Sequence, residues 1–301
     1  MENKPVSVNS ILKDFQEELS DEYDGREIRQ FLYLLFDEWK GWNKAQVHLN
    51  QERLLLQAEA GRFYLALEEL KKHKPIQYIT GRTFFHGLEL EVTPDVLIPR
   101  PETEELVDII IRENTNRKQE GFSILDIGTG SGCIAVSLKN NFQSSAVSAM
   151  DISVKALQLA RKNAESNDCE IRFFHHDILK KEEQSLFPEY DIIISNPPYI
   201  KESEKSEMQK NVVDYEPSAA LFVPDNDPLV FYKAISGFAA NHLSPTGLLY
   251  LEINEQFGAD IKTLLMTKDF DRIEVIRDIN GKDRFIRAEV NNRVSPLVSR
   301  F

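Results

Sequence analysis

The chain has 301 residues, a length that suits two domains. It has 36 basic and 49 acidic residues and a formal net charge of −13. This negative charge argues against nucleic-acid binding by bulk neutralisation of phosphates. Two cysteines are too few for a disulfide framework or a cysteine zinc cluster. No apolar run is long enough to cross a membrane and no secretory signal is visible, so we expect a cytoplasmic protein without membrane association. We also expect no metal site, because the adjacent His175 and His176 would point to opposite faces of a strand.

Residues 1–75 are predicted to form a small helical bundle. Apolar residues recur at the i, i+3, i+4 and i+7 spacing of one helix face, with charged residues between them. They are Ile28, Phe31, Leu32, Leu35 and Trp39 in one segment and Phe63, Leu67 and Leu70 in another. Strand-like alternation is absent from these residues.

A β-hairpin is predicted within residues 76–99. Thr83–Phe85 and Leu88–Val92 alternate in polarity on either side of His86-Gly87, which suits a tight turn. A helix is then expected from Pro101, because proline suits the first helical position and the acidic residues that follow favour the positive end of the helix dipole. The hairpin would join two domains.

Strands and helices alternate over residues 100–301, which is typical of an α/β domain with a mostly parallel sheet covered on both faces. The predicted strands are 124–127, 146–151, 171–175, 191–195, 248–253, 273–278 and 284–289. The predicted helices between them are 133–140, 154–167, 228–243 and 256–268. Asn280-Gly281 indicates a hairpin between the last two strands, so these should pair antiparallel at one edge.

A glycine-rich loop follows the first strand of this domain and precedes a helix. Glycines let the backbone turn sharply and approach a ligand closely, although the pattern alone also fits a tight turn without a ligand. The residues concerned are Asp126, Gly128, Thr129, Gly130, Ser131 and Gly132. The next strand ends in Asp151, 19 residues after the last glycine, where a carboxylate would accept hydrogen bonds from a ribose diol.

Two ligands fit this loop and acid, a nicotinamide dinucleotide and S-adenosyl-L-methionine. The dinucleotide pattern has its third glycine one residue later, at Cys133. Asp126 would repel a pyrophosphate, whereas it can bind the ammonium group of a methionyl tail. The residues therefore favour S-adenosyl-L-methionine and leave the dinucleotide as an alternative.

The motif Asn196-Pro197-Pro198-Tyr199 follows the fourth strand. That strand is expected beside the first, which would place the motif and the glycine loop at the same sheet edge. The prolines hold Asn196 in an extended, rigid conformation. Its carboxamide and the Pro197 carbonyl can accept hydrogen bonds from an –NH2 group, and Tyr199 offers a flat face. A plain strand terminator would explain the prolines but neither flanking residue.

An Asn-Pro-Pro-Tyr motif after a glycine-loop core resembles the amino-methyltransferases, which methylate planar nitrogens. Three further stretches are similar to signatures of the HemK/PrmC family, the protein-(glutamine-N5) methyltransferases of peptide chain release factors. They are Pro75–Gly81, Leu97–Glu104 and Asp214–Leu221. The resemblance covers nearly the whole chain. The first 75 residues match as a helical front domain and not through a particular motif.

The resemblance implies a seven-stranded, Rossmann-like class I methyltransferase domain at 100–301, a β-hairpin linker at 76–99 and a helical substrate-docking domain at 1–75. It implies S-adenosyl-L-methionine as methyl donor and S-adenosyl-L-homocysteine as product. The acceptor would be the glutamine in the Gly-Gly-Gln loop of class 1 peptide chain release factors, in translation termination. We expect a monomer with no direct contact to nucleic acid.

The same resemblance assigns site residues. Donor binding maps to Asp126, Gly128, Thr129, Gly130, Ser131, Gly132, Asp151, Asp177, Ile178 and Asn196, and catalysis to Asn196, Pro197, Pro198 and Tyr199. Some relatives carry an aromatic residue where this chain has Ile178, so adenine would pack on an aliphatic side chain here rather than stack.

Other functions stay open at this point. A nucleic-acid amino-methyltransferase acting on adenine N6 or an RNA guanine would use the same motif, because a flipped base also presents a planar –NH2 group. A protein that binds the donor without catalysis is a second alternative. The charge of −13 and the Leu97–Glu104 stretch favour the release factor. The charged run Lys201–Lys210 is expected to form a solvated helix or a loop that covers the substrate.

Overall fold

The computed structural model describes residues 5–117, 121–180, 184 and 187–291. They divide into two compact units: one comprises residues up to Arg82 together with Gln209–Tyr215, the other Thr83–Met208 and the residues from Glu216 onward. The domain limits expected at 1–75, 76–99 and 100–301 stay predictions. No helix in the described ranges combines the length and apolarity needed to cross a bilayer.

The smaller unit is a helical bundle. Its helices are α1 (Val8–Leu19), α2 (Gly25–Lys40), α3 (Lys44–Leu49), α4 (Gln57–Lys71), α5 (Ile76–Thr80) and the one-turn α9 (Lys210–Val213). The predicted apolar stripe on α2 is buried except for Trp39, which is partly exposed. The unit also contains a short strand pair that the sequence analysis does not predict, since β1 (Val6–Ser7) pairs antiparallel with β2 (Leu54–Leu55). Two residues are too few to show the alternation that identifies a strand in a sequence.

The predicted hairpin is confirmed. β3 (Arg82–Phe85) and β4 (Leu88–Glu91) form a two-stranded sheet. The turn residues His86 and Gly87 both have positive φ, 50° and 77°, as a tight two-residue turn between twisted strands requires.

The larger unit contains one seven-stranded sheet in the order β12-β13-β11-β8-β5-β6-β7. Its strands are β5 (Ser123–Ile127), β6 (Ala146–Asp151), β7 (Ile171–His175), β8 (Tyr190–Ser195), β11 (Leu243–Glu252), β12 (Phe270–Arg277) and β13 (Asp283–Val290). A separate parallel pair joins β9 (Ile200–Lys201) to β10 (Phe222–Val223). The expected seven-stranded Rossmann-like α/β fold is confirmed.

Helices cover both faces of this sheet. They are α6 (Pro101–Asn114), α7 (Cys133–Asn141), α8 (Val154–Ser166), α10 (Val230–His242) and α11 (Gly258–Met266). Alternate residues of β8 enter different cores, Ile192 and Ile194 with α6 and α7 and Ile193 with α10 and α11. Because successive side chains of a strand point to opposite faces, the two cores lie on the two faces of the sheet.

The strand directions position the functional residues. β7, β6, β5, β8 and β11 run parallel. β13 runs against them, and the edge strand β12, antiparallel to β13, runs in their direction again. The carboxyl ends of the parallel strands therefore share one edge. The residues at these ends are Ile127, Asp151, His175, Ser195 and Glu252. The fourth strand lies beside the first, as expected, and the last two strands form the antiparallel edge.

Candidate active site

The glycine loop leaves β5 in a conformation that only glycine adopts readily. Gly128, Gly130 and Gly132 have φ of 74°, 54° and 84°, values that strain residues with a Cβ atom. The loop is anchored to the neighbouring strand, because the amides of Gly128 and Thr129 both donate to the Met150 carbonyl oxygen, at 2.9 and 3.0 Å.

The glycines differ in what surrounds them. A Cβ added to Gly128 or Gly130 would meet nothing within 4 Å, whereas one on Gly132 would lie 3.1 Å from the Cβ of Ala160. The first two glycines thus border open space in which a ligand can approach the backbone. Gly132 instead allows the start of α7 to pack closely against α8.

Asp126 lies on β5, immediately below the loop. Its side chain is fully buried, and Oδ2 accepts a hydrogen bond from the Thr129 hydroxyl at 2.6 Å. Oδ1 has no hydrogen-bond partner among the described residues. Burial, with a smaller contribution from the charge of Asp151, raises the pKa of Asp126 to about 7. A buried carboxylate with an unpaired oxygen gains stabilisation from a nearby cation.

Asp151 ends β6 and holds the loop from the other side. Its Oδ2 accepts from the Gly130 amide at 2.9 Å and its Oδ1 from the Ser153 amide at 2.8 Å. Burial raises the pKa of this carboxyl group. Each carboxylate oxygen has a second lone pair, so Asp151 can still accept hydrogen bonds from a diol.

Asp177 and Ile178 follow β7 at the same edge. Asp177 Oδ1 accepts from the Leu179 amide at 3.0 Å, which turns the chain at this point. Ile178 is 9% exposed and packs in the core that includes Leu125 and Met150. The predicted aliphatic wall of the adenine pocket is therefore mostly buried, and its contact with adenine stays a prediction.

Asn196-Pro197-Pro198-Tyr199 leaves β8 beside the glycine loop, because Ser195 lies opposite Ile127 on the adjacent strand. Asn196 is partly exposed, and its Nδ2 donates to the Thr103 hydroxyl at 3.0 Å. That bond leaves Oδ1, on the other arm of the planar carboxamide, available to a substrate. The Tyr199 carbonyl accepts from Asn254 Nδ2 at 3.4 Å, which ties the motif to the segment after β11.

Two residues behind the motif were missed by sequence reasoning, Thr103 on α6 and Glu252 at the end of β11. Both are buried, and the Thr103 hydroxyl donates to Glu252 Oε2 at 2.7 Å. The Tyr199 hydroxyl donates to Oε1 of the same carboxylate at 3.2 Å. Burial raises the pKa of Glu252 to about 7 although these donors lower it. The position of Glu252 at the end of a predicted strand is a signal that could have identified it.

A second buried carboxylate joins two of the signature stretches. Glu216 accepts from Arg100 Nη2 at 2.5 Å and from the Ile98 amide at 3.1 Å. Its side chain is 1% exposed. This ion pair connects the Leu97–Glu104 stretch to Asp214–Leu221, and it therefore fixes the start of α6, on which Thr103 lies.

A cleft of about 290 Å³ adjoins Tyr199. The charged run contributes to its wall, but as a 3-10 helix, Glu202–Glu207, rather than an α-helix. The lining residues are Tyr199, Ile200, Glu204, Glu207, Met208, Asn254, Glu255, Gln256, Lys282 and Arg284. A role of the run as a substrate cover stays a prediction. Within the described residues no group of three His, Cys, Asp or Glu side chains could hold a metal ion.

Comparison with family models gives two matches. A model described as PrmC N-terminal domain matches residues 10–81, and one described as Methyltransferase small domain matches residues 108–216. Both lie where the sequence predicts a helical front domain and a methyltransferase core.

Similar proteins match over most of the chain. A release factor glutamine methyltransferase of Flavobacterium psychrophilum is 44% identical, over 93% of this chain and 98% of its own. One of Bacteroides thetaiotaomicron is 41% identical, over 93% and 99%. These likenesses extend through both units.

Among solved structures, the hMettl16 catalytic domain in complex with the MAT2A 3'UTR hairpin 6 has a TM-score of 0.52 at 16% identity, covering 81% of this chain and 86% of its own. The Thermus thermophilus 16S rRNA methyltransferase RsmC, in complex with AdoMet and guanosine, has a TM-score of 0.50 at 18% identity, covering 70% and 50%. At these identities the likeness concerns the fold alone.

Proposed function

The chain belongs to the family of release factor glutamine methyltransferases, and on that premise we propose that it methylates the glutamine of the Gly-Gly-Gln loop in class 1 peptide chain release factors. The resemblance to the HemK/PrmC family is thereby confirmed. The methyl donor is S-adenosyl-L-methionine, the product is S-adenosyl-L-homocysteine, and the acceptor is the side-chain amide nitrogen, N5.

One observation supports this assignment most strongly: the glycine loop and the Asn196 motif leave adjacent parallel strands at the same level. Ile127, the last residue of β5, lies opposite Ser195, the last residue of β8. A donor held by the loop and an amide held by Asn196 would therefore be neighbours. In open parallel sheets this crevice beyond the strand ends is where ligands bind.

The residues present fit the donor. Open space borders Gly128 and Gly130, so a nucleoside could lie against the backbone. The buried Asp126 carboxylate has one oxygen without a hydrogen-bond partner in the part of the chain that the structure describes, which suits a ligand carrying positive charge. Asp151 would accept from the ribose diol, and Ile178 would lie against adenine.

Catalysis on a glutamine amide depends mainly on orientation, because the nitrogen lone pair is delocalised into the carbonyl group. The bound donor supplies an electrophilic methyl carbon on a sulfonium. Asn196 Oδ1 and the Pro197 carbonyl accept hydrogen bonds from the substrate –NH2 group and favour the positive charge that develops on its nitrogen. Holding the reacting atoms in line contributes roughly 7–11 kcal/mol in favourable cases. The nitrogen then releases a proton to solvent, so no residue is needed as a strong general base.

We place this reaction in the cytoplasm, where release factors act, and propose that the chain works as a monomer without direct contact to nucleic acid. The helical front domain would dock the protein substrate. The monomeric state is checked by the mass of the purified chain in solution. The absence of nucleic-acid contact is checked by binding of the isolated release factor in the absence of RNA.

The proposed function is tested by incubating the purified chain with methyl-labelled donor and a class 1 release factor. Two forms of the release factor are compared, one with its Gly-Gly-Gln glutamine intact and one with that residue replaced by alanine. Label is expected on the intact form alone. Equal labelling of both forms, or labelling of RNA in a parallel reaction and not of protein, would refute the assignment.

A further inference from the structure

We infer that Thr103 and Glu252 are positioning residues that set which arm of the Asn196 carboxamide faces the substrate. This inference rests on the proposed function, because it concerns the residue that is to hold the substrate amide. It adds two residues that do not contact the substrate themselves and act through Asn196.

The inference begins with the hydrogens that each group can supply. The Thr103 hydroxyl has one proton, and that proton goes to Glu252 Oε2 at 2.7 Å, since an ionised carboxylate only accepts. The Thr103 oxygen must then accept from its other neighbour, Asn196, at 3.0 Å. Only Nδ2 of the carboxamide can donate, so Oδ1 is directed away from Thr103.

These hydrogen bonds are needed to orient Asn196, because the two arms of an asparagine side chain are almost equal in size and shape. Packing alone would allow either orientation. An –NH2 group of the substrate needs acceptors, and the reversed carboxamide would present a second –NH2 group to it. The charge of Glu252, transmitted by one hydroxyl, therefore decides whether the site accepts or repels a glutamine amide.

Glu252 is itself held in place. Tyr199 donates to its Oε1 at 3.2 Å, and the Tyr232 hydroxyl donates to its backbone carbonyl at 3.3 Å. Both carboxylate oxygens are thus occupied as acceptors, one by Thr103 and one by Tyr199. An asparagine or glutamine at this position would have only one acceptor arm, so a carboxylate is the group that this arrangement requires.

The orientation of the Asn196 carboxamide is expected to depend on pH through the protonation of Glu252. Burial holds the pKa of Glu252 near neutrality, at about 7. A protonated Glu252 can donate to Thr103, whose hydroxyl proton can then turn to Asn196 Oδ1 and reverse the carboxamide. Titratable groups that face Glu252 on the neighbouring elements are Glu102, Cys133, Tyr199, Tyr232 and Arg284. Arg284 lowers the pKa of Glu252 and Glu102 raises it.

The test compares Thr103→Val, which keeps the side-chain shape and removes the hydroxyl, with Thr103→Ser, which keeps the hydroxyl. Thr103→Val is expected to lower kcat about ten- to hundredfold, while KM for the release factor and the donor dissociation constant change little. Thr103→Ser should recover most of the lost kcat. Thr115→Val is the matched control, because the exposed Thr115 hydroxyl, at the end of the same helix, donates to the Ile111 carbonyl and to no other described residue.

A second measurement keeps the inference testable if Thr103→Val does not fold. With donor and release factor saturating, kcat of the wild-type chain should fall on the acid side of about pH 7, and Glu252→Gln should lose that acid limb. A wild-type profile without this limb, a limb that persists in Glu252→Gln, or a folded Thr103→Val with wild-type kcat would overturn the inference. An inactive wild-type chain would instead count against the proposed function.

Discussion

Ser195 and Ile127 are joined across two strands: the buried Ser195 hydroxyl donates to the Ile127 carbonyl oxygen at 2.7 Å. These are the last residues of β8 and β5, so the bond reinforces the spacing that the pairing of the two strands sets between the glycine loop and the Asn196 motif. In the proposed reaction, the distance from methyl donor to acceptor nitrogen would therefore depend on a hydroxyl that belongs to neither the loop nor the motif.

Ser195→Ala should show this dependence. Loss of the bond is expected to cost about 0.5–1.5 kcal/mol of unfolding free energy and to lower kcat, because the two strand ends are then held by the backbone pairing alone. Ser236→Ala is a suitable control, since its buried hydroxyl bonds the Lys233 carbonyl within α10, away from the strand ends. Urea unfolding and turnover are measured on both. A similar loss of kcat in the two variants would contradict the role given to Ser195.

Asn196→Ala tests the acceptor for the substrate amide. We expect kcat to fall about a hundredfold or more, as when a preorganised hydrogen-bonding group is removed from a reacting centre. Affinity for S-adenosyl-L-homocysteine should be partly kept, because the glycine loop and Asp151 are unchanged. Asn241→Ala, an exposed position on α10, should leave both quantities unaltered. Unchanged turnover in Asn196→Ala would refute the assignment.

Alanine substitutions at two glycines of the loop are expected to differ in their effects on Tm and on donor binding. Gly132→Ala brings its Cβ to 3.1 Å from Ala160, so it should lower Tm. Gly130→Ala places its Cβ in open space and should weaken donor binding more than it lowers Tm. Gly281→Ala is matched for backbone strain, with a φ of 78° and no neighbour within 4 Å, and should affect Tm alone. Calorimetric titration and thermal melts separate these effects.

The raised pKa of Asp126 predicts that stability and donor binding change in opposite directions with pH. Burial raises its pKa from 3.8 to about 7 in the folded chain, so between these values the folded state holds a proton that the unfolded state has lost. Its contribution to stability is therefore greatest below the unfolded pKa and is lost as pH rises toward about 7. In its proposed role at the donor ammonium group, Asp126 would have to be ionised, so donor binding should strengthen over the upper part of the same range.

Asp126→Asn provides the comparison for both measurements. The variant should remove this part of the pH dependence from Tm and from the dissociation constant of S-adenosyl-L-methionine. Glu252 titrates in a similar range and is unchanged in the variant, so only the difference between the two chains is assigned to Asp126. Identical pH profiles for both chains would show that Asp126 does not titrate as described.

Sequence patterns predict the elements of the larger unit because periodicity and glycine placement are local properties. The seven strands, the loop after β5 and the antiparallel edge are examples. The Thr103–Glu252 bond joins residues 149 positions apart, and no local pattern encodes such a contact. No local pattern predicts that Gln209–Tyr215 belongs to the smaller unit either. There the Tyr215 hydroxyl donates to the carbonyl of Lys72, which is distant in sequence.

Mass spectrometry of the release-factor loop peptide, after reaction with the wild-type chain and with Asn196→Ala, tests the central claim most directly. The account predicts one added methyl group on the side-chain nitrogen of the Gly-Gly-Gln glutamine with the wild-type chain and almost none with the variant. A methyl group on any other residue, or equal modification by the two chains, would contradict it.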